Sequence, residues 1–247
     1  MSAVGTWAWA EETGGRLRRR DRAELIRQGV FARLEALRKT TPVQGLELDF
    51  PVPPDSSLAR AAEECVREVS APTLYAHCLR TWAFSAMFGA TERIKHDPEL
   101  LYLACLLHDL GLTDGHDGRD ATAGCFAVEG ARAAHSLICQ HGAPEDAART
   151  VAEAISLHLN INVPIEHGPE AYLLSRGVAL DTVGRRLHRI PPASIQATDE
   201  RWGRDGLAEY LVDVTTRQAE LRPDSRSALL ARLGFAALLR RNPLASS

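Results

Sequence analysis

"HDPELLYLACLLHDLG", residues 96–111, decides the fold. Asp97 is a good helix N-cap, Pro98 suits the first helical position, and Gly111 suits the left-handed residue that stops a helix. Between these ends Leu101, Ala104, Cys105 and His108 recur at i, i+3, i+4 and i+7, so they share one face. The stretch therefore predicts a buried helix whose last turn carries a His-Asp pair. Setting a potential charge pair beside Leu106 and Leu107 costs free energy unless something coordinates or pairs it.

Helix signals continue in both directions from this segment, and no strand-like alternation of useful length interrupts them. Upstream, Asp21 is placed to cap a helix with Ile26, Val30, Leu34 and Leu37 on one face, closed by Pro42. "TPVQGLELDFPVPPDSS" then reads as an extended connection, because prolines deny helix to themselves and to their predecessors. A helix from about Leu58 to Val69 follows, and Pro72 and Thr73 start another through "LYAHCLRTWAFSAMFG". Downstream, "VEGARAAHSLICQHG" gives a helix stopped at Gly142. "APEDAARTVAEAISLH" starts at Pro144 and carries Val151, Ala154, Ile155 and His158 on one stripe. "GPEAYLLSRGVALDTVG" puts Leu174, Gly177 or Val178, and Asp181 on one side; two more helices are expected near 206–221 and 225–240. The expected class is all-α: one helical bundle domain over residues 1–247 with a metal site between helices. The segment 41–56 is its only candidate linker.

Composition narrows the function classes. The 247 residues are 45% hydrophobic and 25% charged, ordinary for a globular protein, and the net charge of −3 supplies no field that would draw nucleic acid or a membrane surface. Lys39 and Lys95 are the only lysines, which leaves few candidates for a Schiff base or a phosphate-gripping amine. Cys65, Cys78, Cys105, Cys125 and Cys139 are odd in number and without CxxC spacing, so buried free thiols are expected. "MSAVGTWAWAEETGG" has neither a basic leader nor a sustained apolar run, and no stretch is long enough to span a bilayer. The expectation is a cytoplasmic protein with a small-molecule substrate. "SALLARLGFAALLRR" at the C-terminal end suits the end of the core and a subunit contact equally well, which leaves a homo-oligomer open.

Three polar residues fall on apolar faces of separate helices: His77, His108 and Asp181, with Asp109 adjoining. Imidazole nitrogen with carboxylate oxygen suits a first-row divalent ion, Zn²⁺ first, then Fe²⁺ or Mn²⁺. Successive helical residues point about 100° apart, so an ion bound by both His108 and Asp109 must lie over the edge between them. Four protein ligands would leave room for a water, whose pKa the ion lowers. Spacing alone does not select these residues among nine histidines.

The order His, His-Asp, Asp around "LLHDLG" resembles the HD superfamily of metal-dependent hydrolases, over roughly residues 70–185. The resemblance implies the ligands His77, His108, Asp109 and Asp181. Within that superfamily "HCLRTWAFS", "LLHDLGLT", "CFAVEGARAA", "EAISLH" and "GVALDTVG", in that order, resemble the cyanamide hydratase type, which adds water across a C≡N bond to give urea. Dinuclear relatives carry a further His where this chain has Phe126, which points to one ion per chain. The nucleotidase branch carries a Glu where this chain has Leu112, which weakens a nucleotide substrate.

Three more residues are candidates for the chemistry. His158 ends an apolar stripe, and the resemblance has it touching substrate or supporting a ligand without bonding the ion. Glu129 is either a pocket acid or a solvated carboxylate offsetting a helix dipole. Arg80, one turn after His77, either reaches the pocket or makes an ordinary ion pair. His135, His141, His167 and His188 read as surface or boundary residues, and Asp114, Asp117 and Asp120 as a solvated acidic turn without calcium-loop spacing. The leading function is a mononuclear hydrolase or hydratase acting on a small nitrile-like molecule. The alternatives are a phosphohydrolase, which would want cations such as Arg80, Arg119 and Arg132 around the pocket, and a non-catalytic ligand-sensing HD domain.

Overall fold

The computed structural model describes residues 2–36, 43, 46–113, 115–116 and 122–245, and in them all regular structure is helical. In chain order the helices are α1 (Trp7–Thr13), α2 (Arg19–Ala36), α3 (Ser57–Val69), α4 (Pro72–Glu92), α5 (Pro98–Leu107) and α6 (Phe126–Gln140). They continue with α7 (Glu145–Leu157), α8 (Pro169–Val183), α9 (Pro192–Trp202), α10 (Leu207–Leu221), α11 (Arg226–Arg232) and α12 (Phe235–Arg240). No helix among these residues is long and apolar enough to cross a membrane. The expected Leu37, Pro42, Asp114, Asp117, Arg119 and Asp120 lie outside the described residues.

The opening stretch forms the hub. Asp97 caps α5 by accepting from the backbone N–H groups of Glu99 (2.9 Å) and Leu100 (3.1 Å), with Pro98 at the first position. Every residue from Leu101 to Leu107 is buried, because α3, α4, α7 and α8 all pack on this helix. Each leucine buried there contributes about 1.5–3 kcal/mol over leaving it exposed. Gly111 does not end α5 in a left-handed turn: the helix stops at Leu107 and the chain tightens into a 3-10 turn, Leu110–Leu112. Gly111 is needed for a different reason, since a Cβ there would lie 2.0 Å from the carbonyl oxygen of Phe126.

α4 packs closely along α8. A Cβ on Gly177 would sit 2.2 Å from Ser85 Oγ and 2.4 Å from the Thr81 carbonyl oxygen, so the two backbones touch at that level. One turn away His77 meets Asp181, which makes the pair antiparallel. Of the alternatives on α8, Leu174, Gly177 and Asp181 form the buried side, while Val178 faces a groove of about 1580 Å³.

That groove accounts for a departure from expectation. Ile26, Val30 and Leu34 of α2 are 43–55% exposed, not buried; Leu25 is the residue of that helix that enters the core. Ile26 and Val30 line the groove, whose far wall is made by α8, α9, α11 and α12. Asp21 lies inside the first turn of α2 and not ahead of it; its carboxylate reaches back to the Arg18 N–H (2.9 Å) and takes the Trp9 indole N–H (3.1 Å). The helix expected over 225–240 is two, α11 and α12, broken at Gly234 with φ +88°. The short α1 and α9 were not anticipated, although Thr6 as an N-cap and Pro192 at a first position mark their starts.

Gly177→Ala should force α4 and α8 apart and cost about 1–3 kcal/mol of stability, read as a lower denaturation midpoint. An unchanged midpoint would mean that the helices have room to part.

Candidate metal centre

Three helices deliver four polar groups to one enclosed point. His77 comes from the second turn of α4, His108 is the residue that closes α5, Asp109 follows it, and His158 closes α7. All four are 5% exposed or less. Nε2 of His108 lies 3.3 Å from Nε2 of His77 and 3.2 Å from Oδ2 of Asp109; His77 Nε2 is 3.6 Å from the same oxygen. His158 Nε2 approaches the other oxygen, Oδ1, at 3.6 Å. His77, His108 and Asp109 each offer a donor atom within 4.8 Å of the other two, close enough to hold one ion.

The outer nitrogens decide what the inner ones can do. His108 Nδ1 is 2.7 Å from the carbonyl oxygen of Cys105, and His158 Nδ1 is 2.6 Å from that of Ile155. A carbonyl only accepts, so each Nδ1 must carry the hydrogen. His77 Nδ1 does the same towards Oδ2 of Asp181 at 2.6 Å. In their neutral forms all three imidazoles therefore turn an Nε2 lone pair inward, towards one carboxylate. That is the tautomer a metal ligand needs, fixed by its outer partner.

Charge within the cluster is strongly biased. Burial opposes the charged form of His108, yet Asp109 beside it prevails and holds its pKa well above the ordinary histidine range. Burial lowers His77, with Asp181 acting against it, and lowers His158 to about 3, helped by the charge on His108. Burial would raise Asp109 and Asp181; His108 keeps the first well below the usual carboxylate range, and Arg80, then His77, keeps the second there. Both carboxylates thus add stability that is present above about pH 4 and lost as pH falls towards their depressed values.

Asp181 is not beside the other candidates but behind one of them. It is fully buried, with Oδ2 on the outer nitrogen of His77 and Oδ1 2.9 Å from Nε of Arg80 and 3.2 Å from Nη1 of Arg204. Arg80 Nη2 adds a bond to Oδ2 at 3.0 Å, and its Nη1 donates to the Gly203 carbonyl. Both oxygens are thus engaged, one of them on the outer nitrogen of His77. Arg80, likewise, forms the ion pair and does not reach into a pocket. Glu129 is buried and paired with Arg222. Arg204, in "ERWGRDG", was missed; nothing in its local pattern marks it as a partner of Asp181. Of the cluster, His158 alone lines the large groove.

Comparison with known proteins agrees with this geometry. The family profile described as the HD domain matches residues 74–180, a span holding His77, His108, Asp109 and His158 and ending one residue before Asp181. Two cyanamide hydratases of Saccharomyces cerevisiae, DDI2 and DDI3, are each 31% identical to this chain over 159 residues, 62% of this chain and 68% of the relative.

Two outcomes test the site. Asp181→Asn should weaken metal binding at the buried cluster about ten- to a hundredfold through loss of the hold on His77, with that cluster still filled at saturating metal; a folded variant whose buried cluster takes up no ion would make Asp181 a direct ligand. An ion must displace the proton that Asp109 keeps on His108, so apparent affinity should fall as pH drops below that raised pKa and level off above it. Affinity independent of pH would remove His108 from the ligands.

Proposed function

Because this chain belongs to the HD-domain family, in the group that includes the yeast cyanamide hydratases, we propose that it is a metal-dependent hydratase or hydrolase adding water to a small nitrile-like molecule such as cyanamide, giving urea. The observation that carries this reading is the convergence of Nε2 lone pairs and one carboxylate in an enclosed site, each imidazole tied off at Nδ1. His77, His108 and Asp109 would hold the ion. Two imidazoles and a carboxylate suit Zn²⁺ best, with Fe²⁺ and Mn²⁺ next. Once bound, the ion would supply Lewis-acid polarisation and a lowered pKa for water.

The remaining residues divide the other tasks. Asp181 and Arg80 hold the ring of His77 in place, and Arg204 closes the same ion pair. His158 stays neutral, so its Nε2 can accept a hydrogen bond from the water or substrate without competing for a proton. Its position on the groove makes it the member of the cluster that meets an incoming molecule first. Addition across C≡N places the oxygen of water on carbon and a proton on nitrogen, and needs no cation cradle. A phosphate ester would need one; Arg80 and Arg204 are committed to Asp181, and Arg226 to the Ser156 carbonyl and the face of Trp9, while Arg185, Arg186 and Arg189 lie along the groove, so the assay includes phosphate esters. The five cysteines are free thiols, as a reducing cytoplasm would keep them. We take the chain as one domain with the HD core at its centre.

The test is a parallel assay of metal-loaded protein, purified without chelator or affinity tag, on cyanamide, small organic nitriles and phosphate esters. Hydration of a nitrile-type compound with no ester turnover is expected; the reverse would move the protein to the phosphohydrolases. Asp109→Ala should lose the ion of the buried cluster and activity together while keeping its helical circular dichroism. His158→Ala should keep the ion of the buried cluster and lose about ten- to a hundredfold in rate; a folded His158→Ala whose buried cluster is empty would make that residue a ligand.

A further inference from the structure

A second group of metal-binding side chains lies where α6 turns into α7. His135 and Cys139 stand four residues apart on one face of α6, and the turn at 141–144 brings Glu145, the first residue of α7, against both. The Cys139 sulfur is 3.8 Å from Nδ1 of His135 and 3.5 Å from Oε2 of Glu145, while Nε2 of His135 is 3.0 Å from Oε1. One donor atom from each residue lies within 4.8 Å of the other two. Trp7 stacks on the imidazole with centroids 5.7 Å apart and planes 10° from parallel, which fixes the plane of the ring. His135 and Cys139 are half-buried and Glu145 is exposed, so an ion has access from solvent.

These donor atoms, all within 4.8 Å of one another, need only small rotamer shifts to reach the spacing of a coordination shell. Zn–S bonds of about 2.3 Å and Zn–N bonds of about 2.0 Å put tetrahedral ligand atoms about 3.5 Å apart. The donor types agree, since thiolate, imidazole and carboxylate are what Zn²⁺ sites are built from, and sulfur tilts the choice towards soft or borderline ions. The buried cluster is remote from it, because α7 separates Glu145 from His158 by about 20 Å at 1.5 Å per residue.

We infer that His135, Cys139 and Glu145 form a second, solvent-facing site for a thiophilic divalent ion such as Zn²⁺ or Cd²⁺, with water completing the shell. On binding, the Cys139 thiol proton leaves to solvent as the metal–sulfur bond forms, and the thiol-to-Glu145 hydrogen bond is replaced by bonds from both groups to the ion. One imidazole nitrogen of His135 supplies the third protein ligand. Arg149, one turn along α7, is the cation whose field acts on Glu145 and which an ion must outweigh. A bound ion would staple α6 to α7 and hold the Trp7 end of α1 through the stacked ring.

The experiment is a Co²⁺ titration of the full chain, followed by the thiolate-to-metal charge-transfer absorption in the near ultraviolet. One thiolate-bound ion per chain is expected in the wild type and in Asp109→Ala, which tests independence from the buried site. Cys139→Ser and His135→Gln should lose that absorption while retaining the metal of the buried cluster, measured by elemental analysis. Titrations that are the same in wild type and Cys139→Ser, or no charge-transfer absorption at saturating Co²⁺, would overturn the assignment.

Discussion

Asp181 has no contact with water, and its charge is sustained only by what points at it. A carboxylate that deep is costly unless its oxygens are fully engaged. Here Arg80, Arg204 and the outer nitrogen of His77 engage them all. Much of the architecture follows from keeping that arrangement together. α4 and α8 must lie close enough for His77 and Asp181 to touch, which Gly177 permits. The carbonyl oxygen of Asp181 is in turn held by Asn242 from the C-terminal segment at 2.8 Å, so the end of the chain is tied to the same point. Arg80 reaches on to Gly203, binding the segment after α9 into the network.

One consequence concerns how the charges are divided. Asp181 faces two guanidiniums, so its negative charge is already answered within the protein. Asp109 faces only imidazoles, and the one that answers it is His108, whose proton Asp109 itself retains. The charge of Asp109 is therefore balanced by a removable proton and not by a fixed cation, at the point where three ring nitrogens converge. The two acids look alike in sequence, and their surroundings differ: one is enclosed by two guanidiniums and the outer nitrogen of a ring, the other by inward ring nitrogens.

The all-helical class was legible because α5 announces itself with a cap, a first-position proline and a continuous apolar interior. His77, His108 and Asp109 were singled out by the motif they share with a known family and not by spacing alone, and the fold brings one donor atom of each within 4.8 Å of the others. Three things were not legible. The face of α2 carries the right periodicity, but periodicity reports that a face is apolar and not what will cover it; Ile26 and Val30 end on a groove. Gly111 was read as a stop when its role is to let another backbone pass, a contact between segments that no local pattern encodes. Asp181 was correctly placed on the buried side of α8, yet whether it faced an ion or a guanidinium depended on Arg80 and Arg204, one of them far along the chain. Pairings of that kind emerge only when the helices are packed.

His108 and His158 each stand immediately after the last residue of a helix, and each spends its outer nitrogen on a carbonyl three residues back. Their rings are therefore aimed by their own backbone and not by the loops opposite. A loop facing the site can change length or chemistry without turning either ring, whereas inserting one residue into α5 or α7 would swing the ring by about 100°. The framework is thus rigid in the two helices and permissive across from them.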